Sequence, residues 1–134
     1  MARIYREIEI QKALCRYVSL KYPGVIFNCD CSGLNLSKTQ AGQAKAMRSD
    51  KGFPDFVLYE PRGEYHGLFI EIKKEGTMLF HSSNVGSEGK VIWKDVHITN
   101  QAAMRMRLIE KGFDAHFGVG LTRCIEIVDR YMKQ

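Results

Sequence analysis

Two acidic residues and a lysine lie close together in the middle of this 134-residue chain. Asp55 stands directly before a short apolar run, residues 56–59, and Glu71 and Lys73 fall at the end of a second apolar run that starts at residue 68. Carboxylates hold Mg²⁺ through their oxygens. A cation held in this way can activate water and offset the negative charge of a phosphodiester, and an ammonium group beside it can add to that effect. The three residues therefore suit metal-assisted hydrolysis, provided that the fold brings them together.

The two apolar runs predict the strands of a β-hairpin with a longer polar loop over residues 60–67, which contains proline and glycine. Side chains of a strand alternate between its faces. Glu71 and Lys73 should therefore share one face with Phe69, while Leu68, Ile70 and Ile72 share the other.

This face is half buried, and charges buried there are costly unless they are paired or bind a metal. We expect Asp55 and Glu71 to converge on one cation from adjacent strands, with the backbone carbonyl of Ile72 as a further ligand. Lys73 is expected to orient the attacking water and stabilise the phosphate rather than to act as a base, since neighbouring carboxylates favour its charged form.

Residues 3–21 predict a first helix, which ends at Pro23-Gly24. At about 100° per residue, Glu7 falls in the middle of the apolar stripe and Glu9 falls on the solvent side. A carboxylate in such a stripe needs a partner. A favourable interaction with the helix dipole is one explanation; a side chain that reaches the sheet is the other. The stripe consists of Ile4, Ile8, Leu14, Cys15 and Val18, with Gln11 beside it.

The spacing of these residues resembles the PD-(D/E)XK nucleases, and more narrowly their VRR-NUC branch. The resemblance rests on Pro54-Asp55 followed by Glu71-Ile72-Lys73, within GFPDFVLY and GLFIEIKK. It extends to Glu7–Gln11, similar to the Glu-x-x-x-Gln start of VRR-NUC domains, and to ITNQAAMRMRLIEKGFDAHFGVG near the end, where a glutamine opens the helix after the Glu-x-Lys strand. The resemblance thus covers most of the chain.

This resemblance implies a stand-alone VRR-NUC-like nuclease domain over residues 1–134, of the phage or bacterial type. It further implies an Mg²⁺- or Mn²⁺-dependent endonuclease that cuts branched DNA such as Holliday junctions in repair or recombination, as a homodimer. Glu7, rather than Glu9, would supply a third acidic ligand. On this basis Gln101 is expected to orient the lysine or a phosphate, and helix capping or plain solvation explains it equally well.

The remaining pattern predicts an α/β fold in which helices flank a mixed sheet. The resemblance implies that this core is restriction-endonuclease-like. Residues 25–28 predict a first strand, and residues 75–98 an excursion hairpin that either shapes substrate access or is only an insertion. Thr99 or Asn100 is expected to cap a helix over residues 101–111, with Ala102, Met106 and Ile109 inward. A strand over residues 114–119 and a helix over 121–132 follow.

Residues 30–52 lack a strong period, apart from a possible short helix over 41–48, and they carry a positive balance of charge. A solvated loop explains this segment simply. A segment beside the active site that contacts phosphates also explains its length, since long loops in compact domains are often functional. The candidate nucleic-acid-binding residues are Lys38, Lys45, Arg48 and Lys51.

Composition narrows the choice of function further. The net charge of +5 favours an anionic partner, although only weakly. No apolar run is long enough to span a membrane and no signal-peptide core follows the first Met, so a cytoplasmic protein is expected. The four cysteines show no CxxC spacing, which favours reduced thiols over a zinc site.

Two alternatives remain open. One is a non-catalytic nucleic-acid-binding domain that kept the fold, and the other is a restriction-like or nicking endonuclease. A metabolic enzyme finds no support, because the chain has neither a glycine-rich phosphate loop nor a nucleophile motif.

Overall fold

A computed structural model describes residues 3–30, 36–85 and 91–134. The described residues form helices and strands in an order that confirms the predicted α/β architecture. The elements are α1 (Glu7–Lys21), β1 (Phe27–Cys29), α2 (Lys38–Ala46), β2 (Phe56–Leu58), β3 (Leu68–Lys73), β4 (Phe80–Val85), β5 (Val91–Trp93), α3 (Val96–Glu110), β6 (Asp114–Val119) and α4 (Leu121–Met132).

The central sheet has the strand order β1-β2-β3-β6 and is mixed. β2 pairs antiparallel with both β1 and β3, as the hairpin pattern predicts. β6 pairs parallel with β3 over the whole length of both strands, from Leu68↔Asp114 to Lys73↔Val119. β3 therefore lies inside the sheet with a neighbour on each side, and its last residues extend beyond the end of the shorter β2.

Two apolar clusters cover the two faces of this sheet. On one face, α1 and α4 pack against the inward side chains of β2 and β3, including Leu68, Ile70 and Ile72, which are fully buried. On the other face, α3 packs through Met104 and Leu108 against a smaller cluster that includes Phe69. The alternation predicted for β3 is confirmed, so Glu71 and Lys73 lie on the α3 side.

The first helix begins later than predicted. Residues 3–6 precede α1, and the backbone N–H of Arg6 donates to Glu9 Oε1 at 3.1 Å in a capping box. Ile4 is consequently outside the helix and exposed, and Ile10 joins Leu14 and Val18 as the buried stripe. β1 likewise starts two residues late, because its register is set by pairing with β2.

The third helix begins earlier than predicted. Asp95, rather than Thr99 or Asn100, is its N-cap and accepts a hydrogen bond from the backbone N–H of Ile98 at 2.8 Å. Gln101 then occupies the inward face, and Met106, predicted to be inward, is 50% exposed. The possible helix in the basic segment exists as α2, which starts at Lys38 and buries none of its residues.

β4 and β5 form the predicted excursion hairpin, apart from the main sheet. Trp93 stacks on Phe80 and also lies 5.7 Å, centroid to centroid, from Phe117 of β6. This contact attaches the base of the hairpin to the sheet. Among the described residues Cys15, Cys29 and Cys124 form no disulfide, and Cys31 lies outside those residues. No helix in residues 3–30, 36–85 or 91–134 has the length and apolar character needed to cross a bilayer.

Candidate active site

Asp55 and Glu71 lie together at the point where β2 begins and the antiparallel β3 extends beyond it. The ladder between the strands stops at Phe56↔Ile70, which leaves the backbone N–H of Ile72 without a strand partner. The carboxylate of Asp55 takes that place, and its Oδ2 accepts the Ile72 N–H at 2.8 Å. A further backbone bond, from Asp30 N to the Asp55 carbonyl at 2.6 Å, fixes the Asp55 main chain to the residue after β1. Asp55 is thus placed by the edge geometry of the sheet itself.

The peptide of Ile72 faces the same way as the Asp55 carboxylate. The carbonyl of Lys73 accepts from Gly120 N at 2.8 Å, so the peptide groups of Lys73 point toward β6. Successive residues of a strand direct their peptide groups to opposite edges, and the N–H and C=O of one residue point to the same edge. The Ile72 carbonyl is therefore directed to the Asp55 side, where a ligand for a cation is expected.

Glu71 is held by a buried glutamine. Its Oε1 accepts a hydrogen bond from Gln101 Nε2 at 2.7 Å, and both residues are about as buried as the core, at 6% and 5% exposed. Lys73, on the same face of β3, places Nζ 3.8 Å from Glu71 Oε1 and is also buried. Gln101 thus contacts the glutamate rather than the lysine, and it is neither a helix cap nor solvated.

The two carboxyl groups are in mutual contact. Each is close enough to hydrogen-bond the other once one of them carries a proton. Burial, and then the charge of Asp55, raise the pKa of Glu71. Burial likewise raises the pKa of Asp55, while the Glu71 contact and the Ile72 N–H oppose that rise. Two acids this close titrate as a pair, and desolvation disfavours the doubly ionised state.

One oxygen of this pair lacks a donor in the part of the chain that the structure describes. Glu71 Oε2 is buried, and no N–H or O–H group of the described residues donates to it. A buried acceptor without a partner is costly. A proton shared with Asp55, a water molecule in the cleft or a cation can satisfy it while Gln101 and Lys73 remain where they are. The donor set consists of hard carboxylate oxygens beside a backbone carbonyl, so the residues fit a divalent cation such as Mg²⁺ or Mn²⁺.

Glu7 lies in the same cleft but enters it from the far side. It is the first residue of α1, which packs on the opposite face of the sheet, and it lines a cleft of about 230 Å³ together with Asp55, Glu71 and Lys73. Its charge contributes to the raised pKa values of both acids. Nevertheless, among residues 3–30, 36–85 and 91–134 no three His, Cys, Asp or Glu side chains form a ready metal cluster. Glu7 as a third ligand stays a prediction.

Glu9, the alternative helix acid, lies outside the cleft. It forms ion pairs with Arg3 and, at 3.2 Å, with Arg6, and these contacts lower its pKa. Hydrogen bonding to Arg6 is the largest cause of that shift. Glu9 therefore caps α1, and the position of Glu7 agrees with the assignment made from the helical angle.

Three of the four candidate nucleic-acid-binding residues lie together. Lys45, Arg48 and Lys51 line a groove beside the cleft, and Arg48 lines the cleft as well. Lys38 is the first residue of α2, exposed, and does not line the groove or the cleft. Arg48 is tied to Asp30, whose carboxylate oxygens accept from its Nη2 at 2.8 and 2.7 Å.

His97 and Asp30 are lining residues of the cleft that the sequence did not single out. His97 is exposed, and its Nε2 lies 3.1 Å from Gln101 Nε2. Gln101 therefore connects the buried Glu71 to a side chain at the surface. The two residues are one helical turn apart on α3. That spacing predicts the contact between His97 and Gln101 only when the helix is taken to begin at Val96 rather than at residue 101.

Comparison with solved structures agrees with the architecture. A structure described as "VRR_NUC domain protein" superposes with a TM-score of 0.65, covering 98% of this chain and 92% of that chain, at 23% sequence identity. The chain has a VRR-NUC fold. The four-stranded mixed sheet with flanking helices is accordingly of the restriction-endonuclease-like type. No family model matches the sequence, and no curated protein matches it significantly.

Proposed function

We propose that this protein is a metal-dependent endonuclease that hydrolyses phosphodiester bonds in DNA with Mg²⁺ or Mn²⁺. The observation that carries the proposal is the buried pair of Asp55 and Glu71, in which one carboxylate oxygen has no donor in the described part of the chain, beside the buried amine of Lys73. The oxygens of a purely structural buried pair are commonly satisfied by protein donors or by ordered water. The VRR-NUC fold agrees with a nuclease.

Asp55, Glu71 and the Ile72 carbonyl would hold the cation, with Glu7 at the mouth of the cleft. When bound, such an ion polarises the phosphate and lowers the pKa of water to make a nucleophile near neutral pH. Gln101 holds Glu71 in one orientation by its 2.7 Å hydrogen bond. Lys73 presents its ammonium group from the same strand face, where it stabilises the charge that develops on the phosphate oxygens.

The finer proposal concerns the substrate. We propose that the domain prefers branched DNA, such as a four-way junction, and acts as a homodimer whose two clefts cut two strands. The positive charge on the α2 side of the cleft suits a phosphate backbone. A cleavage assay on linear duplex, flap, splayed and four-way junction DNA, and on an RNA hairpin, compares these substrates directly. Sedimentation measures the oligomeric state.

The decisive experiment compares cleavage by wild type, Glu71→Gln and Asp55→Asn. We expect cleavage in Mg²⁺ or Mn²⁺ and none in EDTA. Either variant should cleave more than about 100-fold more slowly, because replacing a metal ligand lowers activity at least as much as replacing a residue that only supports a ligand. Glu64→Gln, an exposed residue of the β2–β3 loop, is the matched control and should keep wild-type activity.

Binding separates the enzyme from its main alternative. If wild type binds DNA but never cleaves it in either metal, the chain is a nucleic-acid-binding domain rather than a nuclease. If Glu71→Gln cleaves as well as Glu64→Gln, the assigned site is wrong. Titration calorimetry of Mn²⁺ into wild type and Glu71→Gln reports the ligand role independently of cleavage.

A further inference from the structure

A second concave surface adjoins the cleft on its α2 side. This groove, of about 510 Å³, lies between the segment from the end of α2 to Lys51 and the exposed side of α3. Lys45, Arg48 and Lys51 belong to the first wall and Arg107 to the second, with Asp50 as the acidic residue among those that line it. The groove is therefore strongly positive although it is open to solvent.

The two walls are fixed to each other. Gly52 packs so closely on α3 that a Cβ atom at this position would lie 2.7 Å from the carbonyl oxygen of Asn100. Its φ of +80° is a conformation that glycine adopts readily. Because Gly52 stands three residues before Asp55, the same contact ties the groove to the acidic pair. A ligand in the groove is thus held at a set position relative to the cleft.

The groove and the cleft are also continuous. Arg48 lines both, and Asp30, which binds its guanidinium, lines the cleft. A polyanion that reaches the cleft can therefore continue from Arg48 along the positive groove. A sugar–phosphate backbone has this form, since it carries one charge per nucleotide.

Arg107 is the cation of the second wall, and its guanidinium forms an ion pair with a carboxylate. Its Nη1 lies 2.7 Å from Asp50 Oδ2, and the side chains are 52% and 39% exposed. The hydrogen bond from Arg107 keeps the pKa of Asp50 below its usual range, so the acid is ionised at neutral pH. A guanidinium that binds a carboxylate offers the same donors to a phosphate. Exposed ion pairs contribute little stability, so the exchange costs little.

We propose that this groove binds the phosphate backbone of the nucleic acid on one side of the bond to be cut, with Arg107 as a phosphate ligand and Asp50 as the group that the phosphate displaces. The proposal rests on the proposed function for the identity of the polyanion. It assigns a role to Arg107 and Asp50, neither of which the sequence pattern indicated.

The test measures binding of a fluorescent 30-base-pair duplex in EDTA, where no cleavage occurs, by anisotropy at several salt concentrations. Arg107→Gln should weaken binding about tenfold and reduce the slope of log K against log salt by about 0.9, as expected for one lost phosphate contact. Asp50→Asn should strengthen binding severalfold, because it frees Arg107 and removes a negative charge. Thermal melting verifies that the variants are folded.

Arg130→Gln is the matched control. It removes the same charge from the exposed face of α4, outside the groove and the cleft. If Arg107→Gln and Arg130→Gln weaken binding equally, or if Asp50→Asn weakens it, the groove is not a phosphate site. The double variant tests the exchange itself: Asp50→Asn should give a much smaller gain when Arg107 is already glutamine. An equal gain in both backgrounds overturns the displacement of Asp50.

These outcomes separate the groove from the enzyme. If cleavage depends on metal as expected but Arg107→Gln binds DNA no more weakly than the control, the phosphate site in the groove is refuted and the nuclease proposal stands. No cleavage in any metal, with the expected pattern of binding among the variants, refutes the nuclease and leaves the groove. Absence of any salt-dependent binding to duplex, single-stranded DNA or RNA refutes the groove directly.

Discussion

Replacing Glu71 by glutamine should stabilise the metal-free protein above neutral pH. Glu71 is 6% exposed, and burial raises its pKa well above the usual 4.5. The groups that face it are Asp55, Lys73 on the same strand, Gln101 from α3 and, more remotely, Glu7 from α1. Glutamine keeps the acceptor for Gln101, carries no charge, and brings an N–H that can donate to Asp55 at any pH.

The sign and size of the effect follow from proton linkage. A carboxyl group whose pKa rises on folding binds more protons in the folded than in the unfolded protein, so the free energy of unfolding falls as pH rises above about 4.5. One such group gives at most about 1.4 kcal/mol per pH unit, or roughly 2.7 kcal/mol between pH 6 and 8. Coupling to Asp55 and solvent relaxation reduce this limit, and we expect a loss of at least about 1 kcal/mol.

The assay is urea unfolding, or thermal melting, of wild type and Glu71→Gln in EDTA at pH 6, 7 and 8. A loss of about 1 kcal/mol corresponds to a melting temperature lower by about 3–5 °C for a chain of this size. The wild type should show this fall relative to the variant, whereas Glu64→Gln should follow the wild type. Parallel pH dependence in wild type and Glu71→Gln would refute the argument that a buried, proton-binding acid pair occupies the cleft.

Metal removal gives the converse measurement. At a concentration 100 times its dissociation constant, a cation that binds only the folded protein adds about 2.7 kcal/mol to the free energy of unfolding. Mn²⁺ should stabilise wild type at pH 8 in this way and Glu71→Gln much less. Equal stabilisation of both proteins would mean that the ion binds elsewhere.

Three further substitutions probe the frame around the cleft. Gly52→Ala places a Cβ atom 2.7 Å from the Asn100 carbonyl oxygen, at a residue with a left-handed backbone conformation. The free energy of unfolding, measured by urea titration, should fall by more than about 1 kcal/mol, and the cleavage rate in a nuclease assay should fall with it. Gly42→Ala, in open space on α2, should instead stabilise the protein by up to about 1 kcal/mol in the same titration. Trp93→Ala removes the ring contact with Phe117, so the amides of β4 and β5 should exchange faster while those of β3 keep their protection.

The central hairpin was predictable because two short apolar runs flank a polar loop with proline and glycine, and because Glu71 and Lys73 mark one face of the second run. Phe69, Glu71 and Lys73 alternate with the three buried apolar residues of β3, and no other arrangement of that strand buries the second set on one side. The last strand and helix were equally regular, and their predicted limits match β6 and α4. Strong periodicity fixes both the type of element and its face.

The start of α3 could not be read in the same way. Val96, Ile98 and Thr99 are β-branched and follow the strand β5, so they favour strand over helix in isolation. The cap of Asp95 on Ile98 N decides otherwise. As a lone histidine in an irregular segment, His97 looked like a surface residue, whereas on the helix it stands one turn before Gln101 and joins the cleft.

Arg107 illustrates a different limit of sequence reasoning. It lies on a helix that the pattern located, yet its partner Asp50 is distant in the chain, and their contact depends on how tightly Gly52 packs on α3. Such a juxtaposition follows from tertiary packing rather than from periodicity. Basic residues on the α2 side could be named from charge alone, whereas the wall that faces them could not.

The polar groups of the cleft form a chain that is satisfied only in part. Asp55 binds the Ile72 N–H, and Glu71 binds Gln101, which contacts His97 at the surface. Two oxygens of this chain, Glu71 Oε2 and Gln101 Oε1, are buried without a hydrogen-bond donor among the described residues. Each such atom costs about 1–3 kcal/mol, which is a large fraction of the stability of a small domain. Selection for stability alone favours apolar side chains at such positions, so the retained polar groups support the cation site that we propose for the cleft.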